Sequence, residues 1–282
     1  VHVRSIFFAP TIGDLAVSLH EYFPEVIAAR FGDERQSSLK QKLAAELAPE
    51  TEEQPVTTAT IAEFRALVPP LAPRAAPAPK NRRAVFLLSP PRSGSTLLRV
   101  MLAGHPGLFA PPELELLAFD TLGERRQSFS ADYATVLEGT IRALMEIRDL
   151  DADAATALME QYERQDLSTR DFYRLMQDAI GGRLLVDKTP TYAIYPDALR
   201  RAEEEFDEPR YIHLVRHPYA TIYSFVEARL HEYFFRHPHP YSIRTLAELI
   251  WTVSHANIGA FLREIPADRQ PHARRAGAAD RL

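Results

Sequence analysis

The chain has 282 residues, enough for one large α/β domain and a smaller piece, and its 46% hydrophobic and 25% charged content is ordinary for a soluble globular protein. A net charge of −5 argues against a general nucleic-acid binder, so positive charge that serves a ligand must be local. The absence of cysteine excludes disulfides, thiolate catalysis and cysteine zinc sites; with no apolar run of transmembrane length and no signal pattern at the N-terminus, a cytoplasmic protein without membrane contact is expected.

Residues 1–30 cannot form a core alone. The run Ile6-Phe7-Phe8-Ala9-Pro10-Thr11-Ile12-Gly13-Asp14-Leu15-Ala16 is a hydrophobic turn that passes into an amphipathic helix. Thr11 can act as its N-cap, with Leu15, Ala16, Val17 and Leu19 on the following turns. An ordinary capped helix satisfies the same pattern. The run resembles the C-terminal end of acyl and peptidyl carrier domains, which implies that 1–30 is the tail of one. The serine that would carry a phosphopantetheine arm is not in this sequence, so no carrier activity follows. Residues 31–82 become charge-rich and then proline- and alanine-rich, with Pro69, Pro70, Pro73, Pro77 and Pro79. Such a segment is expected to be extended and semi-rigid, a tether of the kind found between megasynthase domains. A short helix over Ile61 to Leu67 interrupts it.

The domain expected over 83–269 opens with an apolar strand, Ala84 to Leu88, that breaks at Pro90 and Pro91. The turn Arg92-Ser93-Gly94-Ser95-Thr96 follows, and then an apolar-periodic helix. This order aims backbone amides, hydroxyls and a guanidinium at one point before a helix N-terminus, which is a phosphate site. Gly94 permits close approach of the backbone to the phosphate. The loop is not a Walker A motif, which needs a second glycine and a lysine. Helices are predicted at 131–148, 152–164 and 168–180. Strand Arg183 to Val186 runs into Asp187-Lys188-Thr189-Pro190, and a helix near 195–205 precedes strand 210–215. Arg216 and Ser224 then lie eight residues apart on a helix that starts at Pro218, so both can face one side. A surface salt bridge for Arg216 is the plainer alternative. Strands alternating with helices predict an α/β fold with a parallel sheet flanked by helices, its ligand at the carboxyl ends of the strands.

Pro-Arg-Ser-Gly-Ser-Thr resembles the 5′-phosphosulfate loop of sulfotransferases, enzymes that use 3′-phosphoadenosine 5′-phosphosulfate (PAPS) and release PAP. The Arg216/Ser224 pair is similar to that family's 3′-phosphate contacts, and Lys188-Thr189-Pro190 to its element beside the sulfuryl group. The resemblance spans about residues 84–265. It implies the P-loop-like sulfotransferase fold and PAPS as donor, with no metal. It also places Arg92, Ser93, Gly94, Ser95, Thr96, Arg216 and Ser224 on the nucleotide, and gives Arg92 and Lys188 the charge of the transition state. Leu88 to Leu102 with Leu214 to Ala220 looks most like the sulfotransferase domains of modular polyketide synthases. In that setting the acceptor is the β-hydroxyl of a carrier-bound acyl chain, sulfonated ahead of decarboxylation to a terminal alkene, and the partners are neighbouring megasynthase domains.

Two residues compete as general base. Glu113 lies 21 residues after Arg92, as the glutamate of tyrosylprotein sulfotransferases does, and Leu-Phe-Ala-Pro-Pro before it would desolvate it. A helix-start acid is the alternative. His255 titrates near neutral pH, although a lone histidine on an apolar helix is more often a core residue. That helix, Ser242 to Ile265, is expected to face the core, Trp251 included. His231, His237 and His239 fall in an expected lid loop. From Gln270 to Leu282 the text has no periodicity and is rich in Ala, Arg, Gly, Pro and His. GC-rich DNA read out of frame gives that composition, so a frameshifted, C-terminally incomplete domain is expected, with a disordered tail as the alternative. A P-loop-like kinase and a non-catalytic megasynthase remnant remain as other functional readings.

Overall fold

Ala84–Leu88 (β1) is buried along its whole length, as a central strand covered on both faces must be. The computed structural model describes residues 54–72, 74, 79–129, 134–270 and 272–274. The carrier-like run 1–30, the linker up to 53 and the tail from 275 lie outside the described residues. Around β1 stand Leu108–Phe109 (β2), Leu184–Asp187 (β3), Arg210–Val215 (β4) and His272–Arg274 (β5), in the order β2-β3-β1-β4-β5. All four pairings are parallel, with Phe86 opposite Asp187 and Leu88 opposite His213. This is the α/β parallel sheet that the alternating pattern predicts. β3 and β4 flank β1, so Asp187-Lys188, Pro91-Arg92 and Val215-Arg216 leave three neighbouring strands at one end, where open α/β sheets hold ligands.

The helices are Thr58–Ala66 (α1), which precedes β1, and then Ser95–Ala103 (α2), Leu122–Ser128 (α3), Ala134–Arg148 (α4), Ala152–Arg164 (α5), Thr169–Ala179 (α6), Pro196–Glu205 (α7), Pro218–Glu227 (α8), His231–Phe234 (α9) and Ile243–Leu262 (α10). Their starts are written in the sequence. Thr121, Asp151, Ser168 and Ser242 each accept an N–H of the first turn, and α7 and α8 begin at proline, whose missing donor costs nothing there. The main core packs Phe86, Leu88, Phe172, Tyr173, Phe206 and Tyr211 under α10.

Two segments carry more structure than expected. Among the described residues of 54–82, the expected short helix is packed on the domain: α1 is capped by Thr57, which forms a capping box with Thr60, and its Phe64 is fully buried in a second core with Phe225, Phe235 and Leu246. Burying one phenylalanine is worth roughly 1.5–3 kcal/mol, enough to hold a short helix on the domain. The stretch after Gln270 is not without regular structure either. Backbone bonding to the open edge of β4 needs no side-chain pattern, so β5 forms there unsignalled by periodicity.

Candidate functional site

The phosphate loop is held in a conformation that only its surroundings can enforce. Arg92 has φ 63 and Gly94, the N-cap of α2, has φ 88. The first turn of α2 has no side-chain cap, so its amides stay available to an anion. Arg216 Nη1 donates to the carbonyl of Arg92 at 2.6 Å, and Arg92 Nε donates to Ser224 Oγ at 2.9 Å. Three residues picked from two distant runs therefore meet at one point. Trp251 Nε1 reaches the Arg216 carbonyl at 3.4 Å, which steadies the turn from the α10 side.

Lys188 leaves β3 almost wholly buried, at 2% exposure, rather than as a solvated strand end. Its ammonium is ion-paired with the Glu113 carboxylate and lies 3.5 Å from Thr96 Oγ1. Cation, candidate base and phosphate loop thus share one corner. The loop carrying Glu113 is fixed from below. Asp187 accepts from Thr189 Oγ1 at 2.8 Å and from the hydroxyls of Tyr173 and Tyr192. Thr189 Oγ1 in turn accepts the Leu114 amide at 3.2 Å, and Tyr192 Oη accepts the Leu116 amide at 2.8 Å. Burial pushes the Asp187 carboxyl up, while these donors oppose the rise.

A cleft of about 820 Å³ joins these groups to an apolar wall. Arg92, Gly94, Ser95, Thr96, Glu113, Arg216 and Ser224 line it, and so do Phe119, Phe129, Leu230 and Phe234. Lys188 lines a smaller adjoining cavity of about 220 Å³ that shares Thr96 and Glu113.

Two expected site residues stand elsewhere. Ser93 is fully buried and does not line the cleft, and its Oγ has no hydrogen-bond partner among the described residues; only its backbone can serve an anion. His255 does not line the cleft either. Its Nδ1 is 2.9 Å from Nε2 of His213, its ring packs on Trp251, and burial followed by the charge of His213 pulls its pKa down to about 4. It is half-buried and paired with His213 rather than turned into the cleft. The expected lid loop borders the cleft: His237 lines it, 3.1 Å from Tyr195 Oη, and Phe235 beside it is buried.

Three residues of the site gave no motif signal. Glu115 lines the cleft, accepts from Thr191 Oγ1 at 2.6 Å and has its pKa raised to about 7, chiefly by burial. Arg125 is fully buried and its Nε donates to the carbonyls of Leu114 and Glu115. Gly139 of α4 lets the helix touch the Glu113 backbone: a Cβ there would stand 1.8 Å from the Glu113 carbonyl oxygen. An arginine at the fourth position of a helix and a glycine inside one look like solvent and a weak spot in one dimension.

Comparison with known proteins agrees with this geometry. The model of the "Sulfotransferase family" matches residues 84–272. A sulfotransferase domain from the curacin biosynthetic pathway is 45% identical, with a TM-score of 0.63 over 69% of this chain and 68% of that one. The sulfotransferase domain of the Synechococcus PCC 7002 olefin synthase is 42% identical, with a TM-score of 0.65 over 72% and 70%. Nodulation protein NoeE of Sinorhizobium fredii (strain NBRC 101917 / NGR234) is 30% identical over 183 residues, 64% of this chain and 40% of its own length. The match thus spans well under half of that curated relative.

Proposed function

Because the chain belongs to the sulfotransferase family, we propose that it moves a sulfuryl group from PAPS to the β-hydroxyl of a carrier-bound acyl chain, ahead of decarboxylation to a terminal alkene. The observation that carries this reading is the two-part cleft: guanidinium groups and an uncapped helix N-terminus at one end, aromatic and aliphatic side chains at the other. The curacin and olefin synthase settings of the two similar domains support the acyl acceptor and neighbouring megasynthase domains as partners.

PAPS would supply the sulfuryl group and depart as PAP. On this chain, Arg216 and Ser224 would hold the 3′-phosphate, with the planar guanidinium fork suited to phosphate oxygens. The amides of Ser93 to Thr96 and the hydroxyls of Ser95 and Thr96 would hold the 5′ side, Gly94 giving the close approach. Arg92 and Lys188 would offset the charge that collects on the departing oxygen, as positioned cations do in phosphoryl transfer. Glu113 would take the acceptor proton. Its carboxylate lies against the Lys188 ammonium, at the phosphate-loop end of the cleft.

The test is direct. The full chain is incubated with PAPS and a β-hydroxyacyl pantetheine thioester, and the thioester should gain the mass of one sulfuryl group. Glu113→Gln should lower kcat by roughly 10²–10⁴, the worth of a general base, with PAP affinity little changed. Full activity in Glu113→Gln would remove it as the base.

A further inference from the structure

Two anchors clasp the chain ahead of β1 onto the apolar end of the cleft. The first is Phe64 of α1, whose ring stacks on Phe235 at 4.6 Å and tilts against Tyr241 at 6.3 Å. The second is Arg74, its side chain 9% exposed, which bonds Asp120 at 2.6 Å and pairs with Glu205 and the Phe119 carbonyl. Between them the Leu71 amide donates to Asp197 Oδ2 at 3.1 Å, and the Ala72 carbonyl accepts from Arg201 at 2.7 Å. Pro69 and Pro70 limit the backbone freedom of this stretch.

The elements gripped by the anchors are those that build the apolar wall. Phe119 and Phe129 pack edge to face at 5.7 Å, and Arg236 lies over the Phe129 ring at 4.1 Å. Leu230 and Phe234 lead into Phe235, the partner of Phe64. Pro69 and Leu71 themselves line the cleft. The segment has a side chain in the cavity and is fastened on either side of it.

We propose that residues 56–72, with Arg74 as anchor, form a strap that completes the acceptor-side wall, that Leu71 sets how large an apolar acceptor fits, and that Arg74 is the positioning residue that holds Leu71 there. This rests on the acyl-acceptor reading above. A tether built into the wall makes acceptor choice depend on a segment that sequence assigns to a linker.

The experiment measures, by calorimetry with PAP present, the affinity of the full chain for a short and a long linear β-hydroxyacyl pantetheine thioester. Leu71→Trp should fill the wall and cut the long-to-short affinity ratio about tenfold, the usual scale of methylene discrimination in an apolar pocket. Arg74→Ala should weaken the long thioester several-fold and speed amide exchange in Thr58–Ala66, with PAP affinity held. Arg74→Lys, which keeps the charge, should recover part of the loss. An unchanged ratio in Leu71→Trp overturns the proposal, even if Arg74→Ala fails to fold. Wild-type protein that binds both thioesters but sulfonates neither would sink the proposed reaction and leave the strap to be judged on the ratio. Protein that binds PAP but neither thioester would overturn both.

Discussion

At Glu115 the backbone is turned to φ 51 and the carboxyl, at the cleft wall, is almost wholly buried, so the proton is kept to about pH 7. Left-handed backbone at a non-glycine residue costs on the order of 1–3 kcal/mol and persists only where neighbours over-determine it. Here Arg125 grips the adjoining carbonyls and Thr191 grips the side chain. The unfolded chain releases the proton near the ordinary value of 4.5, and the folded chain only near 7. Between these values the folded state binds more protons, so this group's contribution to stability falls as pH rises from 4.5 through 7 and then levels. Glu115→Gln cannot ionise. Its melting temperature relative to wild type should therefore climb between pH 5 and 7.5, by an amount equivalent to roughly 2–2.5 kcal/mol. A difference that stays flat with pH would mean that Glu115 is already ionised in the fold.

Between elements, α4 packs directly against the Glu113 loop. Gly139→Ala puts a methyl into the Glu113 carbonyl, and either the helix or the proposed base must move. Overpacking of this kind costs about 1–3 kcal/mol, and a displacement of about 1 Å at a reacting group can cost on the order of 10² in rate. Thermal midpoint and kcat should both fall, and a variant that melts lower but keeps wild-type kcat would separate Glu113 from the chemistry. This scale also shows what a sequence can disclose. The phosphate loop, Arg216 and Ser224 were readable because each is a local pattern of strand end, turn and helix start, and they converge on Arg92 as spacing suggests. The helix starts expected at 152, 168 and 242 fall within a residue of the observed ones. Gly139, Arg125 and Glu115 were hidden because their roles depend on which distant backbone they meet. Phe64 was hidden in proline- and alanine-rich surroundings, where one buried aromatic does not alter a linker's composition. His255 was the reverse case: its chemistry suggested a base, and it is half-buried against His213, 42 residues away, outside the cleft lining.

Over the whole molecule, one parallel sheet brings three strand ends together and so gathers the cationic groups from runs far apart in sequence. Net charge of −5 is no obstacle to binding a highly anionic nucleotide, because Arg92, Lys188 and Arg216 are local to those ends. No helix among the described residues is long and apolar enough to cross a membrane. The kinase alternative yields to the family match over residues 84–272 and to a loop that lacks the Walker lysine. The segment before β1 and the edge strand β5 both dock on this frame, so the folded unit begins earlier than its composition implies. The most direct measurement is a titration of the full chain with PAP, with ATP as control, followed by thermal stabilisation in wild type and Arg216→Ala. The account predicts a shift selective for PAP, and about ten- to a hundredfold weaker binding in Arg216→Ala, from a charge-assisted contact worth roughly 1.5–3 kcal/mol. A well-folded wild type that ATP stabilises as much as PAP, or that PAP does not stabilise, would contradict it.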